Sequence, residues 1–155
     1  MSDSPYAPPK AAIAQIEPAE PEIPRPLVAT RAVQYLWISF GIGALGQIAD
    51  LFMPAADALS WELAVLFNLL FGAIFVWILL SIAKGRNWAR IVNLVLTALS
   101  VLFAPVILYG VSAGQQTRLD AAVYLICIVI DCYACYLLLT RPASDWFSAV
   151  GEARS

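Results

Sequence analysis

Polar and apolar positions separate into long blocks along this chain. Between Glu62 and Lys84 stand 21 uncharged residues, and between Arg90 and Arg118 stand 27. A buried soluble helix seldom runs so far without a charge, whereas a helix crossing the hydrocarbon core of a bilayer needs about 20 apolar residues. Two flanking blocks are nearly as apolar, which predicts four spans at 32–53, 61–83, 88–112 and 121–140. Runs such as FGAIFVWILLSIA do not alternate apolar with polar residues, so membrane β-strands are excluded. The connections at 54–60, 85–87 and 113–120 are short and force consecutive helices to be antiparallel neighbours. The expected fold class is an all-α integral membrane protein, an up-down four-transmembrane-helix bundle.

Both ends of the chain break this pattern. The first 30 residues hold seven of the ten prolines together with Asp3, Glu17, Glu20 and Glu22. Residues 1–30 are therefore expected to be a disordered tail, not a secretory signal. After the fourth span, RPASDWFSAV starts with a proline, offers Ser144 as a cap and sets Trp146 beside Phe147. Residues 143–155 are expected to form a short interfacial tail.

Composition agrees with a bilayer: 61% of the 155 residues are hydrophobic and 13% charged, against about 25% charged in an ordinary soluble domain. Orientation follows from the cations. With both termini cytoplasmic, Lys10, Arg25, Arg31, Lys84, Arg86, Arg90, Arg141 and Arg154 lie inside and Arg118 alone outside. Eight against one is a strong bias of the positive-inside kind. Trp37, Trp77 and Trp88 fall towards the inner interface, and Trp61, Tyr109 and Tyr124 towards the outer one. The loop residues Lys84, Arg86, Trp88 and Arg90 are expected to anchor on lipid, with Asn87 capping the third helix. A formal net charge of −2 argues against a nucleic-acid partner.

At 100° per residue the helices carry stripes of small or polar residues. Ser39, Gly43, Gly46 and Asp50 share one face of the first span; Asn93, Thr97, Ser100 and Ala104 share one of the third; Tyr124, Cys127, Asp131 and Cys135 share one of the fourth. The second offers Asn68 and Gly72. Such stripes mark helix-packing seams, or else they converge on a polar interior that handles a proton, ion or solute. Apart from Arg90 at the start of the third, no Lys, Arg or His lies within a span, so Asp131 has no cation at its depth, and its protonated, neutral form is the less costly one there. Asp131, Ser100, Thr97 and Asn93 form the candidate polar interior, with Asp131 expected to face the third helix. Ser39, Gly43 and Gly46 are assigned to helix packing. Asp50, near the outer end of the first span, is expected to pair with Arg118.

Two motifs are decoys. GIGALG (residues 41–46) matches a dinucleotide-binding pattern that has meaning only between a strand and a helix, and here it lies inside a span. Cys132 and Cys135 form C-x-x-C, but a structural zinc needs four ligands and this chain has three cysteines and no histidine. No cofactor and no catalytic residue is expected, and the thiols read as small packing residues.

The KGRNWARIVNLVL stretch with RPASDWF after the fourth span resembles a group of small bacterial inner-membrane proteins with four predicted helices. The likeness covers about residues 31–148 and rests on Gly85, Asn87, Trp88, Ala89, Arg90, Trp146 and Phe147. It implies a bacterial four-helix membrane protein and brings no substrate with it. Quinone-linked disulfide-generating proteins also have four helices, but their working cysteines face the oxidising side. Small multidrug transporters carry their essential acid inside the first helix, where this chain has Asp50 near the end. The leading expectation is a non-enzymatic membrane protein acting through helix–helix contacts, as an accessory subunit or a homo-oligomer. Its partners are then the lipid bilayer and other membrane-protein subunits or itself. The alternative is a small proton- or cation-coupled transporter or channel using Asp131.

Overall fold

The computed structural model describes residues 23–52, 61–114 and 117–153. Within them the chain forms α1 (Leu27–Phe52), α2 (Trp61–Ala83), α3 (Asn87–Ser112), α4 (Arg118–Leu139) and α5 (Arg141–Glu152). The first four are long and apolar enough to cross a membrane. They stand in a ring in which each helix touches its chain neighbours and α4 closes against α1; among the described residues neither diagonal pair meets. The α1–α4 seam is the most extensive. Its pairs are Tyr35 with Tyr133, Ser39 with Cys127 and Gly46 with Val123, so numbers rise on one helix as they fall on the other. This is the antiparallel order that an up-down bundle requires.

Several sequence expectations need correction. α1 starts at Leu27, five residues before the predicted span, because Pro24 and Pro26 precede the helix without entering it: the Pro26 carbonyl accepts the Thr30 N–H at 3.1 Å. The predicted tail thus gives up its last residues to α1, and the disorder expected of residues 1–22 lies outside the described residues. Asn87 does not cap α3; Arg86 holds the N-cap position, with no side-chain cap bond. Nor does Ser144 cap α5, whose N-cap is Thr140 with Pro142 in the first turn. α4 begins at Arg118, where Thr117 and Asp120 make a reciprocal capping box.

The buried core gathers in the half of the bundle next to the α2–α3 turn. Ala29, Ala32, Ala89, Ala134 and Ala143 are fully buried there, small enough for the helices to close on Leu36, Leu79, Ile82 and Leu138. α5 completes this end. Its residues Ala143, Trp146, Phe147 and Val150 recur at helical spacing and turn inward, while Asp145, Ser148 and Glu152 are exposed. Trp146 and Phe147, expected at a lipid interface, are instead core residues at 8% and 1% exposure.

The turn between α2 and α3 is built for that docking. Gly85 has φ +74°, and the Gly85 N–H to Ile82 carbonyl and Arg86 N–H to Ser81 carbonyl bonds make a Schellman ending. A Cβ on Gly85 would stand 3.0 Å from both Trp146 Cη2 and Val150 Cγ1. Gly85→Ala is therefore expected to destabilise the protein by about 1 to 2 kcal/mol from the backbone conformation alone, more if α5 is displaced. Gly151→Ala is the matched comparison, since nothing lies within 4 Å of its added Cβ. In detergent-titration unfolding it should be neutral or slightly stabilising.

Candidate functional site

The other half of the bundle is not filled. Gly43 of α1 and Gly72 of α2 both border a gap between the helices; a Cβ on either would meet nothing within 4 Å. The space left is a cavity of about 450 Å³ lined by all four long helices. It runs from Leu36 to Ile48 along α1, roughly 18 Å at the rise of an α-helix. At one end Leu36, Leu79 and Asn93 are buried and shut it; towards the other, Gln47 and Ile48 are exposed. Small-molecule sites fall in the range of about 300 to 1,000 Å³, with mostly apolar walls and a few convergent polar groups.

Those polar groups are Ser39, Gln47, Asn68, Asn93, Thr97, Ser100, Cys127 and Asp131, set among Phe40, Phe71 and Phe75. All four residues assigned to a polar interior, Asp131, Ser100, Thr97 and Asn93, line this one cavity. Their bonding differs from expectation. Asp131 lies near the Ser39 hydroxyl on α1, and Cys135 turns to α3, receiving Asn93 Nδ2 at 3.5 Å and donating to Thr97 Oγ1 at 3.4 Å. Each step of four residues rotates a helix by about 40°, so Asp131 and Cys135 sit on opposite shoulders of one stripe. Ser100 donates to its own helix at the Leu96 carbonyl, and its carbonyl accepts Tyr124 Oη at 2.8 Å. Tyr124 therefore points into the bundle and is not an interfacial ring.

The packing residues also divide. Ser39 is buried in the α1–α4 seam, where its hydroxyl donates to the Cys127 carbonyl at 3.4 Å and the Cys127 thiol donates to the Ser39 carbonyl at 3.7 Å. Gly46 approaches α4, its added Cβ standing 3.9 Å from Val123. Gly43 packs against nothing and is a cavity residue. The two C-x-x-C thiols part company: Cys135 is buried and Cys132 exposed. Asp50's side chain lies outside the described residues, and with it the expected pair to Arg118, which is exposed at the start of α4. Trp61 of the expected outer belt lies outside them in the same way, while Tyr109 is 71% exposed.

In the anchoring loop, Lys84 and Arg86 are exposed, and Trp88 packs against Trp77 with ring centroids 4.8 Å apart. Arg90 is half-buried and tied into the fold. Its Nη1 donates to Ser144 Oγ at 3.3 Å and its guanidinium lies 5.4 Å from the Phe147 ring centre, so it fastens α3 to α5. The sequence reading missed Ser39 as the partner of Asp131, and the cavity glycines as space rather than contact. A signal for the first was present, since Ser39 stands at the middle of α1 and no other hydroxyl shares that depth on the helix that closes the ring.

Four apolar helices around a polar-lined cavity are compatible with a multi-pass membrane protein, and that is the class the fold defines. Compared with models of known protein families, with curated proteins and with solved structures, the chain matches none of them.

Proposed function

We propose that this chain is a non-enzymatic multi-pass protein of a bacterial inner membrane, with both termini cytoplasmic, that takes a small cationic amphipathic solute into its four-helix cavity. The observation carrying this reading is the convergence of all four helices on one space whose described lining holds a single carboxyl, Asp131, and no basic side chain. A lone carboxylate among aromatic and aliphatic walls favours a cation with an apolar body, and phenyl rings such as Phe40 and Phe75 add attraction to the charge. Orientation rests on the eight-to-one distribution of Lys and Arg, and the bacterial assignment on the resemblance carried by the GRNWAR loop and the RPASDWF end. The other reading, a subunit acting through helix–helix contacts, drew on the small and polar stripes. Ser39, Gly46, Asn93 and Thr97 are engaged within the chain, which leaves that reading less to rest on.

The test is calorimetric titration of the purified chain in detergent with tetraphenylphosphonium, a lipophilic cation. Saturable binding is expected, and Asp131→Asn should abolish it while the protein still inserts and folds. Proton and cation compete for one carboxylate, so affinity should rise about tenfold per pH unit until the carboxyl of the free protein is ionised, then level off. Gly72→Leu, which fills the cavity and leaves Asp131 in place, should weaken binding as well. Equal binding by wild type and Asp131→Asn, or none by wild type, would overturn the proposal.

A further inference from the structure

The core end of the bundle holds a second polar feature, remote from the cavity. Arg25, fixed between Pro24 and Pro26 just before α1, lays its guanidinium over the Trp146 ring at 5.6 Å. Arg90 does the same over Phe147, and the two rings are themselves in edge contact with centroids 4.9 Å apart. The arginines thus flank one aromatic pair on α5. Both are half-buried, and three of their nitrogens, Arg25 Nε, Arg25 Nη2 and Arg90 Nε, are covered without a hydrogen-bond acceptor. Burial also pushes the Arg25 guanidinium down from its ordinary value, although it stays charged at any physiological pH.

Donors in this condition need an explanation, because a buried N–H without an acceptor costs stability, and a charged one costs more. Ring contact satisfies the face of a guanidinium but not its edge, and it is the edge that carries the N–H fork matching phosphate oxygens. Cations outnumber acids around them: Arg31, Lys84, Arg86 and Arg141 are exposed at this end of the bundle, against Asp145 and Glu152 on the outer face of α5. α5 lies across it with an inward apolar face, at the level where the long helices leave the apolar layer.

We infer that Arg25 and Arg90, seated on Trp146 and Phe147, form a binding site for a phosphate group. Two sources share that chemistry, the headgroup of an anionic phospholipid and free phosphate. The place of the site at the helix ends makes the lipid the expected one, its phosphate diester taken up by the guanidinium groups while its acyl chains lie along the exposed faces of the long helices.

Native mass spectrometry of the full chain, released from nanodiscs of equal phosphatidylglycerol and phosphatidylcholine content, separates the outcomes. Wild type should retain phosphatidylglycerol in preference, and inorganic phosphate added at millimolar level should fail to displace it; displacement would assign the site to free phosphate. Arg25→Gln and Arg90→Gln should each reduce retention about tenfold, the loss of one charge-assisted contact. Arg31→Gln removes an exposed charge at the same end and should cost no more than about fivefold, the worth of one surface cation. Should a glutamine variant fail to fold, Arg25→Lys and Arg90→Lys keep the charge and lose the planar fork, and retention should still drop. The inference is overturned if wild type shows no preference and binds no phosphate, or if Arg31→Gln equals Arg25→Gln and Arg90→Gln in effect.

Discussion

Replacing Phe147 with alanine is expected to lower the unfolding free energy by about 3 to 5 kcal/mol, the usual cost of emptying a closed aromatic site. Phe147 is 1% exposed and sits where α3, α5 and the end of α4 meet. Its removal leaves Trp146 without its edge partner and Arg90 without the ring beneath it, and each loss loosens α5 further. Leu139→Ala is the appropriate contrast, because that side chain is 55% exposed on the outer face of α4 and should cost little. Unfolding by titration with a denaturing detergent measures both. A Phe147→Ala cost under about 1 kcal/mol would mean that α5 is an appendage, and not part of the cooperative unit.

The second large effect has the opposite sign. Asp131→Leu is expected to improve the apparent free energy of membrane insertion of the α4 segment by about 3 kcal/mol, since a central aspartate is among the costliest residues on insertion scales and leucine among the most favourable. A glycosylation reporter with residues 118–140 as the test segment reads this directly. A gain below about 1 kcal/mol would place the carboxyl in water at a helix end. Improved insertion together with lost cation binding is the pattern of a residue whose presence costs the fold and serves the site.

The helices were legible because charge-free length is a strong signal, and α2 begins and ends where the sequence places it. The start of α1 was not, since a Pro-Arg-Pro triplet reads the same whether it belongs to a loose tail or to the entry of a helix. α5 was recognised as amphipathic, but pattern alone does not say whether an apolar face meets lipid or protein. Gly85 held the decisive clue: a glycine with positive φ against Trp146 makes sense only if α5 folds back over the turn. For the candidate site, the stripe on α4 was correctly drawn: Tyr124 and Cys135 bond to α3, while Cys127 and Asp131 lie by Ser39 of α1. Adjacency in the chain favours α3, whereas the ring closes through α1, and closure is a property of the whole bundle that no local spacing encodes.

That closure bears on how the protein is made. Ser39 meets Cys127 across 88 positions, and Ile23 meets Trp146 across 123. A ribosome delivering the chain into a membrane therefore releases α1 long before either partner exists, and hairpins of neighbouring helices can form early while the first helix waits beside lipid with its polar stripe uncovered. Any product ending before Trp146 keeps four spans and still lacks the side chain that ties α5 to Ile23 and Arg25 ahead of the first of them, so that fastening waits until all four spans have been made.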